Sequence, residues 1–278
     1  MNKLSIERQA QIIKVLCEGN SIRSTARITG TAINTIISLL QNVGLACMKY
    51  QDTHLVNLTT KRIECDEIWA FCHAKEQNLP PEIKDQFGQG DVWTFVALDA
   101  DTKLVIGWLV GEREPGYAYE FLKDVKRRLA NRVQLNTDGH RMYYQAIDGA
   151  FGDDIDYAII VKHYGTPIDV PPGKYSPGTC RNVTKKVIKG HPDEKKISTS
   201  YVERQNLTMR TYIRRFTRLT NGFSKKIENH IFAIALHFMY YNFCKTHRTL
   251  ANPYPRTPAM AAGLTDHIWP AEEIVRLT

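Results

Sequence analysis

The sequence predicts an α/β protein: a mixed sheet flanked by helices, with a small all-helical unit at the N-terminus. The first 48 residues carry helical periodicity and no strand pattern. From residue 61 onward, runs rich in β-forming residues alternate with helical segments, which is typical of helices packed on a mixed sheet. The chain has 278 residues and is 43% hydrophobic. This is enough to bury the core of one large and one small domain.

Glycines divide the N-terminal unit into three short helices. Gly19, Gly30 and Gly44 each follow an apolar helical pattern, and glycine readily takes the left-handed conformation that ends a helix. Ser21 and Thr31 stand where the second and third helices would need an N-cap. Three short helices with a glycine between the second and third are typical of a helix-turn-helix.

The third helix supplies the predicted DNA-reading surface. Its polar face would present Asn34, Thr35 and Ser38, whose amide and hydroxyl groups can hydrogen-bond base edges or phosphates. The positions predicted to face inward are Ile33, Ile36, Ile37 and Leu40. We therefore predict a helix-turn-helix DNA-binding domain over residues 1–48 and a linker over residues 49–60. The alternative is a small helical bundle used for dimerisation, because polar outer faces are common on helices.

Strand and helix patterns alternate through the large predicted domain, residues 61–278. The predicted strands are residues 62–72, 92–99, 104–110, 133–137 and 155–163, and the predicted helices are residues 117–130, 141–150, a segment beginning at residue 200, and residues 227–243. A short turn between the second and third strands indicates a hairpin. The proline-rich tail from residue 245 is expected to wrap the surface. Acidic residues stand at or near strand ends, where α/β folds place their chemistry.

Positive charge is concentrated in the second half of the chain. Lys and Arg total 37 against 29 Asp and Glu, which gives a net charge of +8 and a pI near 9.1. Residues 165–200 form a predicted basic loop that contains Lys185 and Lys186. From residue 204 to residue 226 the charged residues are all basic. This pattern favours a polyanionic partner such as DNA, although a basic ordinary enzyme would have the same net charge.

The cysteine and hydropathy patterns exclude several classes of protein. The six cysteines include no C-x-x-C pair, which argues against a zinc ribbon and a disulfide scaffold. The longest apolar run is too short to span a membrane, and the N-terminus has no signal-peptide core. We expect a soluble, cytoplasmic protein without a membrane partner.

Three acidic residues from separate segments are the candidate catalytic and metal-binding residues: Asp66, Asp138 and Glu203. In-line displacement at DNA phosphates uses two divalent cations about 4 Å apart, and magnesium prefers a few carboxylates with open positions for phosphate and water. Each acid alone has a structural interpretation, as a strand acid, an Asp-Gly turn or a helix first-turn acid. Together, with a basic stretch after Glu203, they favour catalysis. Asp99 is the main rival, but it directly precedes the predicted hairpin turn.

The segments around these acids resemble a known family. ECDEIW at residues 64–69, NTDGH at residues 136–140 and YVERQNLTMR at residues 201–210 resemble the three acidic motifs of DDE transposases. The bacterial insertion-sequence-one family is the most similar, and YNFCKTHRTL…TPAMAAGL, within residues 241–264, resembles the end of many insertion-sequence catalytic domains. The resemblance covers about residues 60–265.

The resemblance implies an RNase H-like fold and a two-metal site for Mg²⁺, with Mn²⁺ able to substitute, held by Asp66, Asp138 and Glu203. It also implies hydrolysis at the ends of a mobile element, followed by attack of the freed 3′-hydroxyl on target DNA. The partners would be double-stranded DNA, both element ends and target, and at least a second copy of the chain, because the reaction holds two ends at once. The predicted DNA contacts of this domain are Lys185, Lys186, Arg204, Arg210, Arg214 and His140.

The chain departs from the family at its N-terminus. Members of the insertion-sequence-one group usually carry a zinc-binding cysteine cluster ahead of the helix-turn-helix, and this sequence has none. Two alternatives stay open: a related nuclease that cuts without joining strands, and a domesticated DNA-binding regulator. The intact set of three acids argues against the regulator.

Overall fold

The computed structural model of the chain describes residues 3–84, 86–165, 179–218 and 220–278. Its helices are α1 (Ile6–Cys17), α2 (Ile22–Thr29), α3 (Ile33–His54), α4 (Pro115–Arg128), α5 (Met142–Phe151), α6 (Ser200–Tyr212), α7 (Ile227–Phe243), α8 (Pro258–Ala261) and α9 (Ala271–Val275). Its strands are β1 (Arg62–Cys72), β2 (Gly90–Asp99), β3 (Val105–Gly111), β4 (Gln134–Asp138), β5 (Asp156–Gly165) and β6 (Thr179–Lys189). Each predicted strand and long helix is present within two or three residues of its expected bounds.

The six strands form one mixed sheet in the order β3-β2-β1-β4-β5-β6. Strands β1, β2 and β3 pair antiparallel, β1, β4 and β5 pair parallel, and β6 runs antiparallel to β5. The predicted mixed sheet flanked by helices is therefore confirmed, including the hairpin of β2 and β3. The central strand β1 is buried on both faces, as a strand covered by helices on two sides must be. Ile63 and Cys65 pack in the cluster that contains α4 and α5, whereas Ile68 and Ala70 pack against α6 and α7.

The N-terminal helices follow the predicted glycine and serine signals in part. Ser21 caps α2 by accepting a hydrogen bond from the Ser24 amide at 3.0 Å, and Gly30 ends that helix with φ of +60°. Helices α2 and α3 meet at 113°, which lies in the range of helix-turn-helix motifs. Thr31 was expected to cap α3 and does not, because Ala32 occupies the N-cap without a side-chain bond. Ile33, expected to face inward, is 43% exposed because it lies at the first turn, beyond the reach of the core.

The predicted linker over residues 49–60 is wrong in its first half, because α3 continues through Gly44 to His54. Gly44 lies where α3 crosses α7. A Cβ atom at this position would lie 2.5 Å from Cβ of Phe232, so the glycine permits close helix packing and does not end the helix. Val43 on α3 and Met239 on α7 belong to the same buried cluster. The N-terminal helices therefore share one core with the sheet domain. The separate domain over residues 1–48 stays a prediction.

Two segments expected at the surface are ordered parts of the fold. Within the predicted basic loop, residues 179–189 form the edge strand β6, and residues 166–178 lie outside the described residues. Charged side chains along β6 suit an edge strand, because they discourage pairing with a further chain. The C-terminal tail does more than wrap the surface. Ala259 of α8, and Ala271 and Ile274 of α9, are buried in the main core, with α9 packed against α1.

In the described ranges, no single helix is long and apolar enough to span a membrane. Within those ranges, the bent pair of α2 and α3 together has the length and composition of a span.

Substitution of Gly44 by alanine is expected to destabilise the fold. The added methyl group would overlap Phe232 at the α3–α7 crossing, and overpacking of this kind costs about 1–3 kcal/mol. The better helix propensity of alanine offsets at most about 1 kcal/mol of that cost. Urea unfolding followed by circular dichroism measures the difference. Gly116→Ala in α4 is the matched control, because a Cβ there meets nothing within 4 Å. A Gly44→Ala variant as stable as the wild type would contradict the close crossing.

Candidate active site

The site begins with a buried carboxylate that attaches α6 to the central strand. Glu64 of β1 is completely buried, and its Oε2 accepts hydrogen bonds from the backbone amides of Tyr201 at 2.8 Å and Val202 at 3.1 Å. These amides belong to the first turn of α6. The amide groups of a first turn have no hydrogen-bond partner within the helix itself. Burial raises the pKa of Glu64, and the two amide hydrogen bonds oppose that rise. The contact places the N-terminus of α6 directly over β1.

Asp66 and Asp138 lie on neighbouring strands and on the same face of the sheet. Asp66 follows Glu64 by two residues on β1, so both side chains point toward α6. In the parallel register of β1 and β4, Glu64 stands opposite Asn136, and two residues further along, Asp66 comes beside Asp138. Oδ1 of Asp138 also accepts a hydrogen bond from the backbone amide of His140 at 3.0 Å.

Glu203 reaches this face from the first turn of α6. Its Oε1 accepts a hydrogen bond from the Thr199 hydroxyl at 2.6 Å, and both of its oxygens accept hydrogen bonds from the Lys162 ammonium. Lys162 lies on β5, two residues beyond Ile160, which stands opposite Asp138 in the sheet. Lys162 points to the same face of the sheet as Asp138. Its contact with Glu203 therefore holds the glutamate over that face, near the C-terminal end of β4.

Asp66 lies within electrostatic range of the other two candidate acids. The pKa of Asp66 is raised to about 7, first by burial and then by the charge of Glu67, with further repulsion from Asp138 and Glu203. Asn206 of α6 partly compensates by donating its Nδ2 hydrogen to Oδ2 of Asp66 at 2.8 Å. A carboxyl group that titrates near neutrality among other carboxylates is a common feature of catalytic sites.

The donor set suits a hard divalent cation in its chemistry. Its ligand atoms are carboxylate oxygens, which magnesium prefers, and a cation among them would relieve their mutual repulsion. Over the described ranges, no three His, Cys, Asp or Glu side chains are arranged so that they could hold one ion. Glu203 instead directs both oxygens at Lys162. The side chains of the described residues therefore fit a metal ion by type but are not arranged around one ion, and the Lys162 ammonium supplies the positive charge next to Glu203.

Adjacent carboxylates that could compete for this role have other partners. Glu67 points to the opposite face of the sheet, where its Oε1 accepts a hydrogen bond from Nε of Arg113 at 2.7 Å and its Oε2 accepts one from the Tyr143 hydroxyl at 2.9 Å. Asp99 caps the hairpin turn, because its Oδ1 accepts hydrogen bonds from the backbone amides of Asp101 at 2.7 Å and Thr102 at 3.1 Å. The predicted structural role of Asp99 is confirmed.

Two of the predicted phosphate contacts lie beside the acids. Arg210 of α6 is half-buried, and its Nη1 has no hydrogen-bond partner among the described residues. Burial and the charge of Arg218 lower the pKa of Arg210, whereas the charge of Asp66 opposes that change, which places the guanidinium within electrostatic range of Asp66. His140 is partly buried next to Asp138, and its Nδ1 faces the backbone amide of Met142 at 3.5 Å.

The other predicted contacts on α3, α6 and β6 are exposed. Arg204 is exposed on α6, and Asn34, Thr35 and Ser38 are exposed on α3, as expected for its polar face. Lys185 stands opposite Ile160, on the face that carries Asp138, and its ammonium donates to the Glu194 carbonyl at 3.3 Å.

Lys186 and Arg214 do not join the other predicted contacts. Lys186 stands opposite Ile159 and so points to the other face of the sheet, because successive residues of a strand alternate. Arg214 was predicted as a DNA contact, but it lies beyond α6, which ends at Tyr212. Arg214 instead lines a cavity next to the N-terminal helices.

Sequence reasoning missed three residues of the site: Glu64, Lys162 and Asn206. Asn206 is buried on α6, and its contact with Asp66 left no local signal in the sequence. The alternation of Glu64 and Asp66 on one strand was a usable signal, because both must face the same side. Lys162 had no sequence signal, since its contact with Glu203 spans 41 residues.

Substitution of Asp66 by asparagine is expected to stabilise the protein above neutral pH. The folded pKa of about 7 exceeds the ordinary value of 3.8, so the folded chain retains a proton that the unfolded chain loses between these values. Wild-type stability therefore falls as pH rises through that window, and asparagine escapes the loss. The gain should be near zero at pH 4 and reach at most about 4 kcal/mol above pH 7. Urea unfolding at pH 5 and pH 8 measures it.

The exposed acid Asp153, whose side chain is 99% accessible, provides the control substitution Asp153→Asn. We expect its effect on the free energy of unfolding to stay nearly constant across the same pH range. An Asp66→Asn gain of equal size at pH 5 and pH 8 would rule out the raised pKa.

No family model and no curated protein matches the chain. Among solved structures, it is similar to a piggyBac transposase synaptic complex with hairpin DNA, at a TM-score of 0.39 and 9% identity over 99% of this chain and 70% of the other. It is also similar to the Mos1 strand transfer complex, at a TM-score of 0.22 and 12% identity over 53% of this chain and 56% of the other. A Mos1 transposase paired-end complex with the left transposon end gives a TM-score of 0.21 and 12% identity over 53% of this chain and 58% of the other. These scores are low, so we draw no functional argument from them, and the insertion-sequence-one assignment stays a prediction.

Proposed function

We propose that this chain is a DNA transposase. It would cleave phosphodiester bonds at the ends of a mobile element and join the freed 3′-hydroxyl to target DNA by metal-dependent in-line transesterification. The observation that supports this most directly is that Asp66 and Asp138 lie on neighbouring parallel strands and Glu203 on a helix over the same face of the sheet. A mixed sheet with acids on adjacent central strands is compatible with the RNase H-like fold that the sequence resemblance implies.

The proposed chemistry assigns a role to each side chain around the acids. Asp66 and Asp138 would flank two Mg²⁺ ions, for which Mn²⁺ could substitute, and Glu203 would complete the second site. When bound, the ions activate the attacking oxygen and stabilise the leaving oxygen. The hydrogen bond from Asn206 fixes the orientation of the Asp66 carboxylate. The guanidinium of Arg210, whose Nη1 has no partner among the described residues, is suited to hold a phosphate oxygen beside the acids.

The proposed substrate is double-stranded DNA, as both element end and target. The exposed polar face of α3, with the 113° turn before it, is suited to enter a major groove. The net charge of +8 favours association with a polyanion. Because transposition holds two DNA ends at once, the active species would be a homodimer or a larger assembly. Action in the cytoplasm, without a membrane partner, is part of the same proposal.

Substitution of Glu203 by glutamine is expected to abolish cleavage while DNA binding persists. Glutamine keeps the size of the side chain but removes the charge, and the loss of one metal-binding carboxylate should slow the reaction roughly 100-fold or more. The assay follows nicking and joining of a supercoiled plasmid that carries this gene with its flanking DNA, in Mg²⁺ or Mn²⁺. Binding to the same DNA is followed by gel shift.

Glu120→Gln, at an exposed position of α4 with 62% side-chain accessibility, is the matched control and should keep full activity. Nicking without joining in the wild type would favour the nuclease alternative. Tight DNA binding with no cleavage in either protein would favour the regulator. Full activity of Glu203→Gln would remove Glu203 from the site.

Substitution of Lys162 by alanine is expected to strengthen Mg²⁺ binding in the absence of DNA. The Lys162 ammonium pairs with both oxygens of Glu203, so it competes with a cation for that carboxylate. Removal of a competing ion pair worth about 1 kcal/mol should lower the Mg²⁺ dissociation constant about fivefold. The rise of the melting temperature with Mg²⁺ concentration measures this affinity.

The control for that measurement is Lys189→Ala, which removes an ammonium that pairs with Asp148 and Asp153 at a distance from the acids. It should leave the Mg²⁺ dependence unchanged. Weaker Mg²⁺ binding in Lys162→Ala would mean that the lysine supports the metal site and does not compete with it.

A further inference from the structure

A second site lies away from the acids, between the N-terminal helices and the segment that joins α6 to α7. A cavity of about 710 Å³ opens there, within the range of about 300–1,000 Å³ typical of small-molecule sites. Its walls come from α1, α2 and α3 on one side, and from residues 212–237 on the other. The acids Asp66, Asp138 and Glu203 do not line it, so it is distinct from the candidate active site.

The charged side chains that line this cavity are all cationic: Arg23, Arg214, Arg215 and Lys225. Among the described lining residues there is no Asp or Glu. Arg215 is the most constrained of the four. It is partly buried, its guanidinium donates to the Ser224 hydroxyl at 2.9 Å, and burial lowers its pKa to about 10. A cation removed from water without a neighbouring carboxylate is costly, and an anionic ligand would offset that cost.

A buried histidine in the cavity wall has an unused polar atom. His237 is only 6% exposed, and its Nε2 has no hydrogen-bond partner among the described residues. Burial lowers the pKa of His237 to about 3, so the ring is neutral near pH 7 and can donate or accept a hydrogen bond. Because an unsatisfied buried polar atom costs free energy, the position favours a ligand with a complementary polar group.

The rest of the wall combines apolar surface with amides. Ile22, Ile37 and Phe223 contribute apolar and aromatic surface, and Asn221 and Asn229 contribute side-chain amides. A flat heterocycle fits such a wall, since its faces are apolar and its edge carries hydrogen-bond donors and acceptors. An aliphatic anion would use the cations and the apolar surface but would leave Nε2 of His237 without a partner among the described residues.

We propose that this cavity binds a nucleoside monophosphate unit, with the phosphate at the cationic side chains and the base against the apolar wall. The same chemistry has two possible sources: a free nucleotide, or an unpaired nucleotide at the end of a DNA strand. The proposal does not depend on the chain being a transposase, because it uses neither the acids nor a metal ion.

Isothermal titration of the full chain with adenosine 5′-monophosphate, in EDTA, tests the proposal. We expect saturable binding, with adenosine alone and inorganic phosphate alone each binding at least about tenfold more weakly, because each lacks half of the contacts. The double variant Arg23→Gln/Lys225→Gln should weaken binding of the nucleotide about tenfold or more. Its matched control is Lys84→Gln/Lys123→Gln, which changes the net charge equally at exposed positions outside the cavity and should leave binding within about twofold.

Two DNA probes distinguish the sources of the ligand. A single-stranded octamer that binds more tightly than the free nucleotide, with the same loss in the cavity variant, identifies a DNA strand end as the source. Binding of the free nucleotide alone identifies a soluble ligand. The proposal is overturned if neither the free nucleotide nor the octamer binds at millimolar concentration, if only a blunt duplex binds, or if the control double variant weakens binding as much as the cavity variant does. The titration is done in EDTA and needs no divalent ion, whereas the cleavage assay does. The outcome of the Glu203→Gln experiment therefore does not decide whether the cavity binds a nucleotide.

Discussion

The buried carboxylate of Glu64 is the contact on which the candidate active site depends. It accepts hydrogen bonds from two backbone amides at the N-terminus of α6. Such charge-assisted hydrogen bonds contribute about 1.5–3 kcal/mol each. The negative charge also suits the positive end of the helix. Glu64 and Asp66 share one face of β1. The hydrogen bonds that cap α6 at Glu64 therefore also hold the helix over Asp66. Glu203, Asn206 and Arg210 then follow from the pitch of α6.

The arrangement of the acids is costly to the fold. Burial and like charge raise the pKa of Asp66 to about 7, so the folded chain holds a carboxylate under conditions that disfavour its ionisation. Asn206 and Lys162 relieve part of the cost, one by a hydrogen bond to Asp66 and the other by an ion pair with Glu203. Residues that bind charged substrates or ions commonly carry such strain, because a site optimised for stability alone would not gather like charges.

The N-terminal helices are integrated with the sheet domain. Helix α3 extends beyond the expected boundary and crosses α7 at Gly44, and α1 packs against the C-terminal helix α9. The exposed polar face of α3 is thus carried on a helix whose other end lies in the main core. A DNA-reading surface built this way would have a defined position relative to the acids. The cationic cavity lies in the same junction, where residues from both parts contribute to its wall.

Much of the fold followed from local pattern. A run of β-forming residues located β1 and a long apolar segment located α7 at their observed bounds, because composition of this kind is a local feature of the sequence. The three acids were also recognisable, since their motifs are local. Local rules failed where a residue's role came from a distant partner. Gly44 has the signature of a helix stop, but its role is set by Phe232, which lies far away in the chain. The basic segment with β6 has few apolar residues because it forms a sheet edge, so its strand character depends on pairing with β5.

The sequence by itself determined which elements form and which acids are available, because helix and strand periods and the acidic motifs are written in neighbouring residues. Only the tertiary structure decided how those acids are held. The cap of α6 by Glu64, the ion pair of Lys162 with Glu203 and the hydrogen bond of Asn206 to Asp66 join residues 41 to 140 positions apart. Contacts over such separations depend on strand order and register, which emerge when the sheet assembles around a shared core.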